Sequence, residues 1–187
     1  MSINPCIPPR VDLLTGRFSA PNVERKSTCI RDLSGVFRDE SARQGLPDDL
    51  AVYQVEMLAS PLQEGELHTG TTHLMPGKVG DEFFMTRGHF HQRREQAEFY
   101  FGLRGRGILL LQSESGAAHA EHVFAGSVHH IPSDTAHRLV NTGTDILSAL
   151  AVWPAVAGHD YQALQADGFR LRVYDRDGEV SLEAARV

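Results

Sequence analysis

Cysteine is scarce in this chain: Cys6 and Cys29 are the only two, and neither belongs to a CxxC pair. A dithiol redox centre and a thiolate zinc site are therefore not expected. Long apolar runs are missing as well. ILLLQ is far too short to span a membrane, and MSINPCIPPR lacks the continuous apolar stretch of a signal peptide. Two free thiols without an export signal fit the cytoplasm. Basic residues are outnumbered, and the formal net charge is -6. That argues against non-specific nucleic-acid binding, which needs a basic surface, and no basic helix-turn-helix segment is present. No internal repeat, low-complexity tract or linker divides the sequence. The expected partner is a small molecule rather than a nucleic acid or a membrane.

What is there reads as one all-β domain over residues 1–187, long enough to bury a real core. Residues 1–26 are Pro-rich and charged, as in an extended arm. In STCIRDLSGVF (27–37), a Ser or Thr able to cap and apolar Ile30, Leu33 and Phe37 suit a short amphipathic helix. ESARQGLPDD then reads as a turn. With residues 1–49 as arm and helix, a barrel core is expected over 50–155. LAVYQVEML, LHTGTTHLM, EFYFGL, GILLLQ, AEHVF, SVHHIP, AHRLVN and ILSALAVW are short, apolar or β-branched, and separated by Gly, Pro, Asp or Ser. That is the pattern of a sandwich or barrel. Gly105-Arg106-Gly107 reads as a hairpin turn between two strong strands. Residues 156–187 would add one or two helical turns in YQALQADGF and a hairpin closing on Asp177-Gly178.

Ten histidines is a high number for this length. His119, His122, His129 and His130 are read as solvated or hydrogen-bonded, and His68 and His73 are given no role. Four residues stand apart: His89, His91, Glu98 and His137. His89 and His91 leave the same face of a strand, Glu98 opens the next strand, and His137 lies in a later one. Three imidazoles and a carboxylate can bind Fe(II), Mn(II), Ni(II), Co(II) or Zn(II). Six residues lie between Glu98 and Gly105; five, four and three separate Gly126, Pro132, His137 and Asn141. These spacings resemble the two signature motifs of the cupin superfamily, a small β-barrel that holds a metal with His, His, Glu and His. The six-residue gap between His91 and Glu98 is longer than usual, and Asp134 stands where Gly is common.

TTHLMPGKVGDEFFMTRGHFH, EFYFGLRGRGILLLQ and WPAVAGHDY, in that order, resemble the archaeal-type, cupin-fold glucose-6-phosphate isomerases. The similarity runs from about VDLLTG to the final hairpin. It implies interconversion of glucose 6-phosphate and fructose 6-phosphate by a homodimer with one divalent metal per subunit, Fe(II) being the expected ion. Carried over, the ligands would be His89, His91, Glu98 and His137. The phosphate cradle would include Thr72, Thr86 and Gly88, with Tyr53 nearby, and Tyr100, His159 and Tyr161 would surround the sugar. Trp153 departs from the pattern, since the family often has Tyr there; Trp can donate a hydrogen bond but not accept one.

For that reaction, Glu98 would move a proton between C1 and C2 through a cis-enediol; a metal-assisted hydride shift is the competing route. His159 would move a proton during ring opening or between O1 and O2. Lys78 and Arg87 are the nearest basic candidates for the phosphate, and Asp160 is a plausible helix N-cap. The same ligand set could serve another cupin enzyme such as a dioxygenase, or a non-catalytic sugar-binding cupin. One fold hosts many functions.

Overall fold

The computed structural model describes residues 4–58, 60–164 and 168–185. In chain order, β1 (Arg10–Val11) and β2 (Phe18–Ser19) form a small hairpin, followed by β3 (Val23–Cys29), a 3-10 turn at Ile30–Leu33 and the helix α1 (Glu40–Gln44). Then come β4 (Ala51–Leu58), β5 (Leu67–Leu74), β6 (Lys78–Val79), β7 (Glu82–Phe83), β8 (Glu98–Arg104) and β9 (Arg106–Ser113). β10 (Ala118–Phe124), β11 (Val128–Ile131), β12 (Thr135–Asn141) and β13 (Leu147–Pro154) complete the barrel. After a 3-10 turn at Gln162–Leu164, β14 (Leu171–Arg176) and β15 (Glu179–Ala184) close the described chain. No helix among the described residues is long and apolar enough to cross a membrane.

The main sheet has six strands in the order β11-β8-β13-β5-β4-β3, and it faces a three-stranded sheet, β10-β9-β12. A third sheet, β15-β14-β7-β6, lies beside them. Pairing is antiparallel throughout. Leu74, Leu109, Leu111, Ile131, Leu139 and Leu147 form the buried core between the layers. Each such side chain contributes roughly 1.5–3 kcal/mol through removal from water. The architecture is all-β, a small barrel of cupin type.

Three local expectations are corrected. The helix expected over 27–37 is absent. Residues 23–29 instead pair along the edge of β4, which satisfies their backbone groups. Only Ile30–Leu33 wind, before Gly35 (φ 74°) ends the turn. Ile30, Leu33 and Phe37 are buried nonetheless. A helix forms instead at Glu40–Gln44, where a turn was expected, because Asp39 accepts the Ala42 N–H at 2.8 Å as an N-cap and Gly45 ends it.

The third correction concerns Gly105. β8 and β9 do not pair with each other; β8 pairs with β11 and β13, and β9 with β10 and β12. The chain passes from one sheet to the other at Gly105, which has φ 73° and where a Cβ would lie 2.5 Å from the Ile146 carbonyl. Glycine is needed on both counts. The Asp177-Gly178 hairpin forms as expected between β14 and β15, with positive φ at both turn residues.

The arm is tied down by a buried carboxylate. Glu56 on β4 accepts from Arg17 Nη1 at 2.7 Å, Arg25 Nε at 3.1 Å and the Phe18 N–H at 2.9 Å. Burial pushes this carboxyl up, but the Phe18 N–H and the Arg25 guanidinium outweigh it and hold it below the ordinary value.

Candidate metal centre and its cavity

β8 alternates: Glu98 and Tyr100 point inward, while Phe99 and Phe101 are exposed. Residues 85–89 run antiparallel beside β12 through the Met85↔Val140 and His89↔His137 bridges. That pairing brings His89 and His137 together although 47 residues lie between them. The Phe90↔Asp160 bridge brings in the GHDY segment. Asp134, at the position where the motif commonly has Gly, adopts φ 55°. Asp tolerates that left-handed conformation better than most residues.

One ligand atom from each of His89, His91, Glu98 and His137 lies within 4.8 Å of the others. Glu98 Oε2 is 3.2 Å from His91 Nε2 and 3.1 Å from His137 Nε2. The second approach is close but off the hydrogen-bond direction, so His137 Nε2, like His89 Nε2, is buried without a hydrogen-bond partner. Buried ring nitrogens are seldom left so. His91 Nδ1 lies 2.9 Å from the Gln96 carbonyl, and His137 Nδ1 3.4 Å from that of Thr135. A carbonyl partner fixes the proton on Nδ1 and leaves Nε2 free to bind a cation. The residues therefore fit a divalent metal.

Charge fits it too. Burial holds His89 well below its ordinary value, aided by the neighbouring His137, His159 and His91. For His91, burial works downward, but Glu98 and the Gln96 carbonyl lift the ring above its ordinary value. Burial raises Glu98, yet His137 and His91 outweigh it and keep the carboxyl ionised at neutral pH.

The cluster opens on a cavity. All nine residues expected at the substrate line it: Tyr53, Thr72, Thr86, Gly88, Glu98, Tyr100, Trp153, His159 and Tyr161. Burial, with the charge of Glu98 next, pushes the Tyr100 phenol well above its usual value, so it stays protonated and can donate a hydrogen bond. His159 is exposed at the rim, its ring stacked parallel to Tyr161 at 5.9 Å and 4.3 Å from that of His89. Trp153 is buried, and a Cβ at Gly70 would lie 3.2 Å from its Cη2, so the small neighbour makes room for the indole. Gly88 (φ 73°) is equally constrained, since a Cβ there would meet Phe169 at 2.6 Å.

Of the two basic candidates, Arg87 lines the cavity. Lys78 does not; its ammonium is paired with Asp175 at 2.6 Å. Val55, Met57, Gly70 and Ala151 line it unexpectedly. Strand alternation could have found them, since they lie two or four residues from Tyr53, Thr72 and Trp153 on the same strand faces. The longer loop 92–97 has a visible task. It carries the Gln96 carbonyl to His91, and its Arg94 is paired with Asp160 at 2.9 Å. Asp160 also accepts the Gln162 and Ala163 N–H groups, acting as the expected cap.

Fold and centre together define the class: a cupin-type barrel with a cluster of three histidines and a carboxylate beside its cavity. The glucose-6-phosphate isomerase (GPI) family profile matches residues 26–185. The chain is 42% identical over 173 residues to the glucose-6-phosphate isomerase of Thermococcus kodakarensis, covering 92% of this chain and 90% of that one. It is 39% identical over 174 residues to that of Sinorhizobium medicae, covering 91% and 80%. The chain belongs to the glucose-6-phosphate isomerase family. Among solved structures it is similar to the oxalate decarboxylase of Lactobacillus farciminis in its formate complex. That likeness has a TM-score of 0.46 and 21% identity, over 55% of this chain and 29% of the other.

Proposed function

We propose that this chain interconverts glucose 6-phosphate and fructose 6-phosphate, using a divalent metal held by His89, His91, Glu98 and His137. One observation carries the reading: the four ligand atoms converge at a cavity that also presents hydroxyl and backbone donors, phenols and a rim histidine. When bound, the metal supplies Lewis acidity toward the adjacent sugar oxygens.

The chain's own groups do the rest. The Thr72 and Thr86 hydroxyls and the Gly88 N–H bind the phosphate, with Arg87 adding positive charge at the rim. The Thr86 oxygen accepts the Leu139 N–H at 3.1 Å, which orients the hydroxyl and leaves its proton to donate. Both histidine approaches to Glu98 are made to Oε2. That oxygen faces the metal site, and Oε1 exchanges the proton between C1 and C2 through the cis-enediol. The Tyr100 phenol donates to the sugar, and His159 moves a proton during ring opening. Trp153 forms an apolar wall and takes no part as an acid. Fe(II) is the expected ion, the homodimer the expected assembly and the cytoplasm the expected compartment.

The test is turnover of fructose 6-phosphate after chelation, with and without added Fe(II), Mn(II), Ni(II), Co(II) or Zn(II). Activity lost on chelation and restored by metal supports the reading. A folded, metal-loaded protein with no turnover overturns it. Solvent deuterium at C2 of the product supports Glu98 as the base; full retention of the substrate hydrogen removes that role and leaves the isomerase standing.

A further inference from the structure

A second cavity, of about 310 Å³, lies beside the first, and Arg87, Arg138 and Arg172 line it without any carboxylate among the described residues. A space of roughly 10–15 Å³ suffices for one water, so a tetrahedral oxyanion fits. Arg138 follows His137 on β12, and successive strand residues face opposite sides. His137 serves the metal centre; Arg138 serves the other side of the same strand.

Arg138 is 4% exposed, and its Nε is buried without a partner. Its guanidinium lies 4.3 Å over the Phe169 ring, and Nη2 donates to the Arg87 carbonyl. Arg172 Nη1 is paired with Glu82 at 2.6 Å, while its Nε is likewise buried and unpartnered. Arg87 donates to the Asp32 carbonyl and has no carboxylate partner among the described residues. Among the described residues, the three guanidinium groups thus share one carboxylate, Glu82. A buried cation without a counter-charge is costly, and guanidinium groups match the fork of phosphate oxygens.

We infer that this cavity is a second anion site, which binds a phosphate group separately from the substrate phosphate on Thr72 and Thr86. The two cavities share Arg87, Gly88 and Tyr161. An occupant would therefore meet the rim of the substrate cavity without entering it. The anion has two sources, inorganic phosphate or the phosphoryl group of a small metabolite.

The test is calorimetric titration of the metal-loaded protein, first with glucitol 6-phosphate, a reduced sugar phosphate that cannot isomerise. In protein holding one glucitol 6-phosphate per chain, inorganic phosphate is expected to bind once more. Arg138→Met should weaken that second event roughly tenfold or more, as loss of a charged hydrogen-bond donor implies, and leave the first unchanged. If Arg138→Met does not fold, Arg138→Lys, which keeps the buried charge and loses the guanidinium fork, carries the same comparison at a residue that lines only the second cavity. Two glucitol 6-phosphates per chain, one lost in these variants, would support the site and assign it to phosphorylated metabolites. One glucitol 6-phosphate and no phosphate uptake overturns the inference, as does a second event unchanged in both variants. Neither result bears on the isomerase reading, which rests on turnover.

Discussion

Buried histidines occur in two settings in this barrel, and their ring nitrogens differ. His73 has Thr71 Oγ1 at 3.2 Å on one nitrogen and Ser148 Oγ at 2.9 Å on the other. His129 has Glu121 at 2.6 Å and Ser127 at 2.8 Å. Both rings are complete within the protein. His89 and His137 each keep a buried Nε2 with no partner. The open Nε2 marks His89 and His137 as able to take a ligand, whereas His91, whose nitrogens meet the Gln96 carbonyl and Glu98, joins the cluster through that carboxylate. Burial alone does not make that distinction.

The sharpest way to break the contrast is Glu98→Gln, which keeps the shape and removes the carboxylate proposed as the base. Turnover should fall by about 10²–10⁴-fold, the usual span for acid–base groups; steady-state kinetics with metal analysis would check it, and a fall below tenfold would remove Glu98 from the chemistry. His159→Asn is next, with turnover reduced by roughly 10²-fold and bound metal unchanged by elemental analysis. Metal lost along with activity would make His159 part of the centre.

On the other side of the comparison, His73→Leu removes a hydrogen-bond partner from the Thr71 and Ser148 hydroxyls, of which Ser148 keeps the Thr15 carbonyl. It should cost about 1–3 kcal/mol of stability, read as a lower melting temperature, while turnover per folded molecule stays unchanged. The smallest effect concerns the arm. Glu56 is held below its ordinary value of 4.5, so its stabilisation is present above that pH and is lost as pH falls through the lower folded value. Protection of residues 10–25 against hydrogen exchange, relative to the intrinsic rate at each pH, should fall as the pH drops below about 4.5. Protection that stays unchanged through acid titration of the carboxyl would mean that Glu56 does not fasten the arm.

The strands and the four-residue cluster were legible because short apolar segments and motif spacing are local signals. The helix at Glu40–Gln44 was missed although Asp39 and Gly45 bracket it, because five residues are too few to show a periodic face. The strand at Val23–Cys29 straddles two expectations, since 23–26 read as the charged end of an arm and 27–29 as the start of a helix. Its place is set by the open edge of β4, which the sequence does not display. Arg138 was passed over for a similar reason. Its isolation depends on what surrounds it, and Arg172, Glu82 and Phe169 come from distant parts of the chain.

The crossing at Gly105 bears on how the protein is made. Because β8 turns away from β9, its sheet partners are β11 and β13, which follow it by dozens of residues. Glu98 and His137 thus share a site only after most of the barrel has been synthesised. Such non-local pairing slows folding. A nascent chain that ends before β12 has three of the four ligands in sequence and no cradle for them. The four-residue cluster is therefore among the last features to form, and a metal bound by all four residues would report that the barrel has closed.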